Sequence, residues 1–160
     1  MSPLRPSVLF VCLGNICRSP LAEAALTAEA VRIGLDVEVD SAGTGDWHVG
    51  RPPDRRAQAV ARRHGIDISG YRARQVESED FRRFDHIVAL DANNLAALRR
   101  MAPGNARARL SLLLDHVPGR AGEPVVDPYQ GSDDGFDVTW ADVSAGAQGL
   151  ARELAGKAAA

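Results

Sequence analysis

The sequence lacks any apolar run long enough to cross a bilayer, and Met1 to Ser7 lack the charged and apolar segments of a secretory signal. Cysteine is also scarce: Cys12 and Cys17 are the only two, which excludes a disulfide-stabilised secreted scaffold. These features predict a cytoplasmic protein that does not insert into membranes. In a reducing compartment, a cysteine close to anion-binding chemistry is a candidate nucleophile.

The sequence also lacks an excess of charge of one sign. Its formal net charge is -2, which argues against a dedicated nucleic-acid-binding protein. Arginines cluster between residues 51 and 74, a pattern typical of a solvated helix face. A basic rim that steers anionic substrates is the alternative. The length of 160 residues, 45% of them hydrophobic, predicts one compact domain over residues 1–160.

Strand-like and helix-like segments alternate four times along the chain. Apolar, β-rich runs predict strands at residues 8–11, 37–39, 86–90 and 110–114. Helices are expected from about Pro20 to Gly34, from Asp54 to His64, over residues 93–101, and from Asp133 or Asp134 onwards. Because the connections are too long for hairpins, we expect an α/β fold in three layers. A four-stranded parallel sheet would carry helices on both faces, with ligands bound beyond the carboxyl ends of its strands.

One loop joins the first strand to the first helix and contains the residues best suited to chemistry. Gly14 and Asn15 tolerate backbone angles that let successive N–H groups point inward around an anion. The following helix adds the positive end of its dipole, and Arg18 adds a planar fork for two phosphate oxygens. The loop reads Cys12-Leu13-Gly14-Asn15-Ile16-Cys17-Arg18-Ser19.

The same positive surroundings would stabilise a thiolate at Cys12, beneath a bound phosphorus atom. The hydroxyl of Ser19 can hydrogen-bond that sulfur. A buried structural cysteine beside an unrelated loop is the alternative, but the strand, the Gly-Asn pair and the helix favour a nucleophile. The sequence contains neither a dinucleotide nor a nucleoside-triphosphate loop, and its four histidines lack metal-ligand spacing with the cysteines.

Two further positions are candidates for the walls of the site. Asp127 precedes Pro128 and Tyr129 and is the best candidate for a proton donor, although Asp-Pro is also a common turn pair. Tyr129 would supply an aromatic wall. Trp47 follows a glycine-rich loop, where it has little core to fill, so it fits a pocket wall.

Three patterns together resemble the low-molecular-weight protein-tyrosine phosphatase family over roughly residues 7–154. They are the run from Val11 to Pro20, the run from Asp40 to Thr44, and Asp127-Pro128-Tyr129. The resemblance implies the flavodoxin-like fold of that family and hydrolysis of phosphotyrosine in proteins, with inorganic phosphate as product. It implies no metal and no cofactor, since the loop and Arg18 supply the positive charge.

The resemblance also implies roles for individual residues. Cys12 attacks phosphorus, Arg18 binds the phosphoryl group, and Asp127 protonates the leaving oxygen and then activates water. Ser19 assists the sulfur, while Asn15 and Ser41 brace the loop. Cys17 matches the family pattern and either traps an oxidised Cys12 as a disulfide or fills the loop.

Two positions depart from the family pattern. Gln130 replaces a frequent second aromatic, and Tyr71 replaces a frequent histidine of the bracing network. Two other functions compete with a phosphatase. An arsenate reductase on the same fold would need further cysteines, and a non-catalytic phosphate-binding module would not need Cys12 or Asp127.

Overall fold

A computed structural model describes residues 5–159; residues 1–4 of the N-terminal segment considered above lie outside them. Four strands form one parallel sheet in the order β2-β1-β3-β4. The strands are β1 (Ser7–Cys12), β2 (Glu38–Gly43), β3 (His86–Ala89) and β4 (Arg109–Leu112). The predicted parallel sheet is therefore confirmed.

Strand β1 lies at the centre of the molecule. It pairs with β2 on one side and β3 on the other, and all six of its residues are buried. This explains the unbroken apolar run in the sequence, since a strand covered on both faces has no polar side to present to water. Cys12 is the last residue of the strand, and the chemistry-bearing loop follows it directly.

Helices cover both faces of the sheet. They are α1 (Arg18–Ile33), α2 (Arg55–Arg63), α3 (Asp80–Arg83), α4 (Ala92–Met101) and α5 (Asp134–Ala159). Helices α1, α2 and α5 pack around one apolar core on one face, and α3 and α4 pack around a second core on the other. None of these helices is both long and apolar enough for a bilayer span within residues 5–159.

The predicted fourth strand was wrong at its end. Strand β4 ends at Leu112, and a 3-10 turn (Leu113–His116) replaces its last predicted residues. The side chain of Asp115 accepts a hydrogen bond from the Leu112 N–H at 3.0 Å. This N–H is therefore bonded within the turn and not to a neighbouring strand. The buried Leu113 and Leu114 still fill the core, which explains why their apolar character resembled strand sequence.

The second strand is longer than predicted because it continues through the small residues Ser41, Ala42 and Gly43. These pair with the second half of β1, up to Cys12. Gly43 permits this close approach, because a Cβ there would lie 2.8 Å from the carbonyl oxygen of Leu13. The short helix α3 was not predicted at all.

The order of the strands creates a crevice at one edge of the sheet. From β1 the chain crosses to β2 on one side, whereas from β3 it crosses to β4 on the other. The carboxyl ends of β1 and β3 therefore lie side by side at a topological switch point, the usual ligand position in such sheets.

Candidate active site

The backbone of residues 12–19 curls around an open space. Asn15 adopts left-handed angles, with φ at 57°, as its tolerance for this region predicts. Thr44 and Gly45 donate backbone hydrogen bonds to the carbonyls of Cys12 and Leu13, both at 2.9 Å. These bonds fix the two carbonyls on the outer side of the loop. Among residues 5–159, the N–H groups of residues 13–17 meet no protein acceptor, an arrangement typical of an anion nest.

Hydrogen bonds behind the loop determine the role of the Ser19 hydroxyl. The Arg74 N–H donates to Asn15 Oδ1 at 3.0 Å, which fixes the orientation of the Asn15 amide. Asn15 Nδ2 must then donate to Ser19 Oγ at 2.8 Å and to Ser41 Oγ at 3.0 Å. Ser19 Oγ lies 3.0 Å from Cys12 Sγ, and its own proton is free to point there. The hydroxyl can therefore donate a hydrogen bond to the sulfur.

The network ends at a carboxyl group on α1. Ser41 Oγ donates to Glu23 Oε1 at 2.7 Å. Burial raises the pKa of Glu23 to about 7, against the opposing effect of the Ser41 hydrogen bond, with Asp40 adding to the rise. Tyr71, half-buried, lies near this carboxyl group. Burial and the nearby carboxylates raise its pKa to about 12, so the phenol stays neutral beside Glu23.

The side chain of Arg18 is buried, with only 3% of its surface exposed, and two hydrogen-bond partners hold it in place. Its Nη1 donates to Asp91 Oδ2 at 2.7 Å and to the carbonyl oxygen of Val125 at 2.8 Å. These partners leave the Nε–H and Nη2 donors for two oxygens of an anion. Asp91 lies just beyond β3 and also caps α4 through the Asn94 N–H at 2.7 Å.

Sequence reasoning missed Asp91. Its only signal was an aspartate placed between an apolar strand and a helix, which reads equally well as an ordinary helix cap.

Asp127 faces the same space as Arg18. One carboxylate oxygen lies 3.6 Å from Arg18 Nη2, and the other accepts from the Tyr129 N–H at 3.1 Å. The second contact closes a local turn. The Asp-Pro pair therefore forms a turn and also directs a carboxyl group toward the site.

These groups surround a cavity of about 390 Å³. Every candidate from the loop lines it except Asn15 and Ser19, which lie behind the loop together with Ser41. The lining consists of Cys12, Leu13, Gly14, Ile16, Cys17, Arg18, Trp47, His48, Asp127, Tyr129 and Gln130.

The rim of the cavity is aromatic and accessible. Trp47 is 67% exposed and Tyr129 is 41% exposed. The Trp47 ring lies against Gly45, where a Cβ would come within 1.7 Å of it. His48 was missed from sequence; its ring centroid lies 6.3 Å from that of Tyr129. Its adjacency to Trp47 was the only available signal.

The two cysteines of the loop differ in their surroundings. Burial strongly raises the pKa of Cys17, and negative charge at Asp54, Cys12 and Asp127 raises it further. Cys17 is therefore held as a neutral thiol, whereas Cys12 receives the Ser19 hydroxyl.

Comparisons with known proteins agree with this geometry. The family model described as low molecular weight phosphotyrosine protein phosphatase matches residues 7–160. The chain is 48% identical over 125 residues to the low molecular weight protein-tyrosine-phosphatase YfkJ of Bacillus subtilis, covering 77% of this chain and 80% of that one.

Solved structures give the same result. The crystal structure of YfkJ superposes with a TM-score of 0.89 at 40% identity, over 96% of this chain and 97% of that one. A Drosophila protein named an arginine phosphatase superposes with a TM-score of 0.86 at 34% identity, over 91% and 96%. The chain belongs to the low-molecular-weight phosphotyrosine protein phosphatase family, whose members are hydrolases.

Proposed function

We propose that this chain hydrolyses phosphotyrosine in proteins through a covalent phosphocysteine on Cys12. The thiolate attacks phosphorus, so an S–P bond forms as the P–O bond to the tyrosine breaks. Asp127 gives its proton to the departing phenolate oxygen, and Arg18 with the loop N–H groups holds the phosphoryl oxygens. Asp127 then takes a proton from water as the water attacks phosphorus. The S–P bond breaks, inorganic phosphate leaves, and the thiolate returns to the hydrogen bond of Ser19.

The direction of the hydrogen bonds around Asn15 is the observation that carries this proposal. A structural cysteine does not need a hydroxyl 3.0 Å from its sulfur that is free to donate to it, and a passive phosphate site does not need a thiolate. The arrangement instead stabilises negative charge on sulfur twice, before attack and when sulfur leaves phosphorus.

The aromatic rim supports tyrosine as the phosphorylated residue. Trp47 and Tyr129 can hold an aromatic ring between them while its phosphate reaches the loop. A phosphoserine ester is too short to bring its phosphate to the bottom of the cavity while its peptide stays outside. Because a solved relative is named an arginine phosphatase, phosphoarginine peptides belong in the same comparison.

The expected substrates are phosphotyrosine-containing proteins of the cytoplasm, because a catalytic thiolate requires a reducing compartment. We expect no nucleic-acid partner and no insertion into membranes. An arsenate reductase on this fold would relay oxidation to another cysteine, but the only two, Cys12 and Cys17, both lie in the loop. A thiol-coupled arsenate reduction assay, run beside phosphatase assays, tests that alternative directly.

Substitution of the two reacting groups tests the mechanism. Cys12→Ser should abolish turnover of phosphotyrosine peptides yet still bind them, since the loop and Arg18 remain. Asp127→Asn should lower kcat/KM for phenolic esters by about 10²- to 10⁴-fold, the usual contribution of a general acid. Asp36→Asn, an exposed carboxylate that does not line the cavity, is the matched control and should stay near wild type.

Rapid quenching followed by mass spectrometry should find one phosphoryl group on Cys12 in the wild type. Turnover that survives Cys12→Ser, or a phosphoryl group on another residue, would refute the mechanism. Equal turnover of phosphoserine and phosphotyrosine peptides would refute only the substrate assignment.

A further inference from the structure

The segment that carries the proposed acid has little regular structure of its own. Residues 126–133, here termed the acid loop, form neither helix nor strand and lie between the buried Val125 and the start of α5. Val125 is fixed by its N–H, which donates to the carbonyl oxygen of Leu90 at 2.8 Å. A general acid must lie within hydrogen-bond reach of the leaving oxygen, so a group outside this loop has to fix its position.

Arg56 on α2 makes that connection. Its Nη2 donates to the carbonyl oxygen of Tyr129 at 2.8 Å, and its Nη1 donates to that of Gly131 at 3.1 Å. The guanidinium carbon also lies 4.6 Å from the centroid of the Phe136 ring in the first turn of α5. One side chain thus contacts the acid loop at two carbonyls and the helix that follows it.

The same guanidinium is fixed from behind by Asp54. Arg56 Nε and Nη2 donate to the two carboxylate oxygens of Asp54 at 3.1 and 3.2 Å. The backbone N–H of Asp54 donates in turn to the carbonyl oxygen of Ile16 at 2.8 Å. The Asp54–Arg56 pair therefore links the loop of the nucleophile to the loop of the acid.

We infer that Arg56 is a positioning residue for Asp127, holding the acid loop at the distance from the 12–19 loop that proton transfer to the leaving oxygen requires. The inference rests on the proposed function and adds a residue that does not line the cavity. Arg56 acts through the two loop carbonyls, so its loss leaves the nucleophile, Arg18 and the anion nest in place.

The number of donors makes arginine specific for this task. The contacts use hydrogen bonds from all three guanidinium nitrogens, directed at one carboxylate and two carbonyls. A lysine ammonium is a single point that cannot reach three acceptors so far apart. Arg56→Lys keeps the charge and loses most of this geometry.

Aryl phosphates of different leaving groups test the inference. Phenyl phosphate needs a proton on its leaving oxygen, whereas 2,4-dinitrophenolate leaves without one. Arg56→Gln should lower kcat/KM for phenyl phosphate by about 10- to 100-fold but for 2,4-dinitrophenyl phosphate by less than about threefold. Arg56→Lys should show the same dependence with smaller losses. Inhibition by inorganic phosphate should stay within about twofold of wild type, because the anion nest is untouched.

Arg55→Gln is the matched control, since Arg55 is the exposed neighbour on the same helix. It should leave both esters near wild-type rates. In the double variant with Asp127→Asn, Arg56→Gln should add almost nothing to the loss for phenyl phosphate, because the group that it positions is already gone.

Equal losses for both esters in Arg56→Gln and Arg56→Lys, or fully additive losses with Asp127→Asn, would overturn the inference and leave a structural role. If Asp127→Asn depends on the leaving group and Arg56→Gln does not, the proposed function stands and the inference fails. If Cys12→Ser still hydrolyses both esters, the proposed function itself fails.

Discussion

At the scale of single residues, Asn15 is the most informative. Its left-handed backbone and its place in the loop follow from the sequence, since asparagine tolerates such angles. The direction of its hydrogen bonds does not, because that depends on the Arg74 N–H, 59 positions away along the chain. Family resemblance implied that Asn15 braces the loop; the fold adds that its amide donates to Ser19 Oγ, which lies 3.0 Å from Cys12 Sγ.

Glu23 should make stability depend on pH. Its pKa of about 7 exceeds its ordinary value of 4.5, so between these limits the folded chain holds a proton that the unfolded chain releases. The free energy of unfolding therefore falls as pH rises through this window. Glu23→Gln removes this dependence. In urea unfolding from about pH 5 to pH 8, the free energy of unfolding of the variant should therefore rise relative to that of wild type as pH rises.

Glu29 on the same helix is the control, because its pKa is shifted in the opposite direction to that of Glu23. Its hydrogen bond with Arg32 lowers its pKa, so its contribution is present at neutral pH and lost as pH falls through the folded-state pKa. Glu29→Gln should therefore lose stability relative to wild type at neutral pH and recover in acid. A constant difference between wild type and Glu23→Gln at every pH would contradict the role assigned to Glu23.

Asp91 serves Arg18 and the cap of α4, and two substitutions separate these tasks. Serine can cap a helix but is too short to reach Arg18, whereas alanine does neither. Both variants should lower kcat/KM for aryl phosphates by roughly tenfold or more, because a misplaced fork weakens transition-state contacts. Asp91→Ala should be about 1 kcal/mol less stable than Asp91→Ser in chemical unfolding, because only the alanine variant also loses the cap. Wild-type kinetics in Asp91→Ser would show that Arg18 needs no anchor there.

At the scale of elements, local patterns predicted what local forces determine. The apolar run before Cys12 predicted β1, because a strand that is buried on both faces consists of apolar residues throughout. The pattern failed at Leu113 and Leu114, where apolar side chains fill the core from a 3-10 turn. Helix α3 was missed because four residues are too few to show a helical period.

Helix α5 offers a paired test of packing. A Cβ at Gly149 would lie 2.0 Å from the carbonyl oxygen of His116, whereas Gly156 in the same helix faces open space. Gly149→Ala should destabilise the protein by roughly 1–3 kcal/mol, since a backbone oxygen must move. Gly156→Ala should instead stabilise it by up to about 1 kcal/mol through helix propensity. Equal unfolding midpoints for the two variants would contradict this close contact.

At the scale of the whole molecule, the order of the strands brings the site together. Alternating strands and helices predicted that ligands bind beyond the carboxyl ends of the sheet, and Cys12 lies there. The partners of Arg18 were beyond prediction: Asp91 and Val125 lie 73 and 107 positions further along the chain. Nothing in the local sequence says which distant aspartate or carbonyl will meet a given guanidinium. Residue type and the Asp-Pro pair made Asp127 a candidate acid, family resemblance strengthened that assignment, and Arg56 needed the fold.

The same arrangement has a consequence for synthesis on the ribosome. The nucleophile is translated early, but helix α1, which follows it, packs most extensively against α5. The guanidinium of Arg18 also needs the carbonyl oxygen of Val125 as a hydrogen-bond acceptor. A nascent chain that lacks its second half therefore carries Cys12 without the anchor of Arg18 and without α5. We therefore expect a translation product that ends before Val125 to lack phosphatase activity.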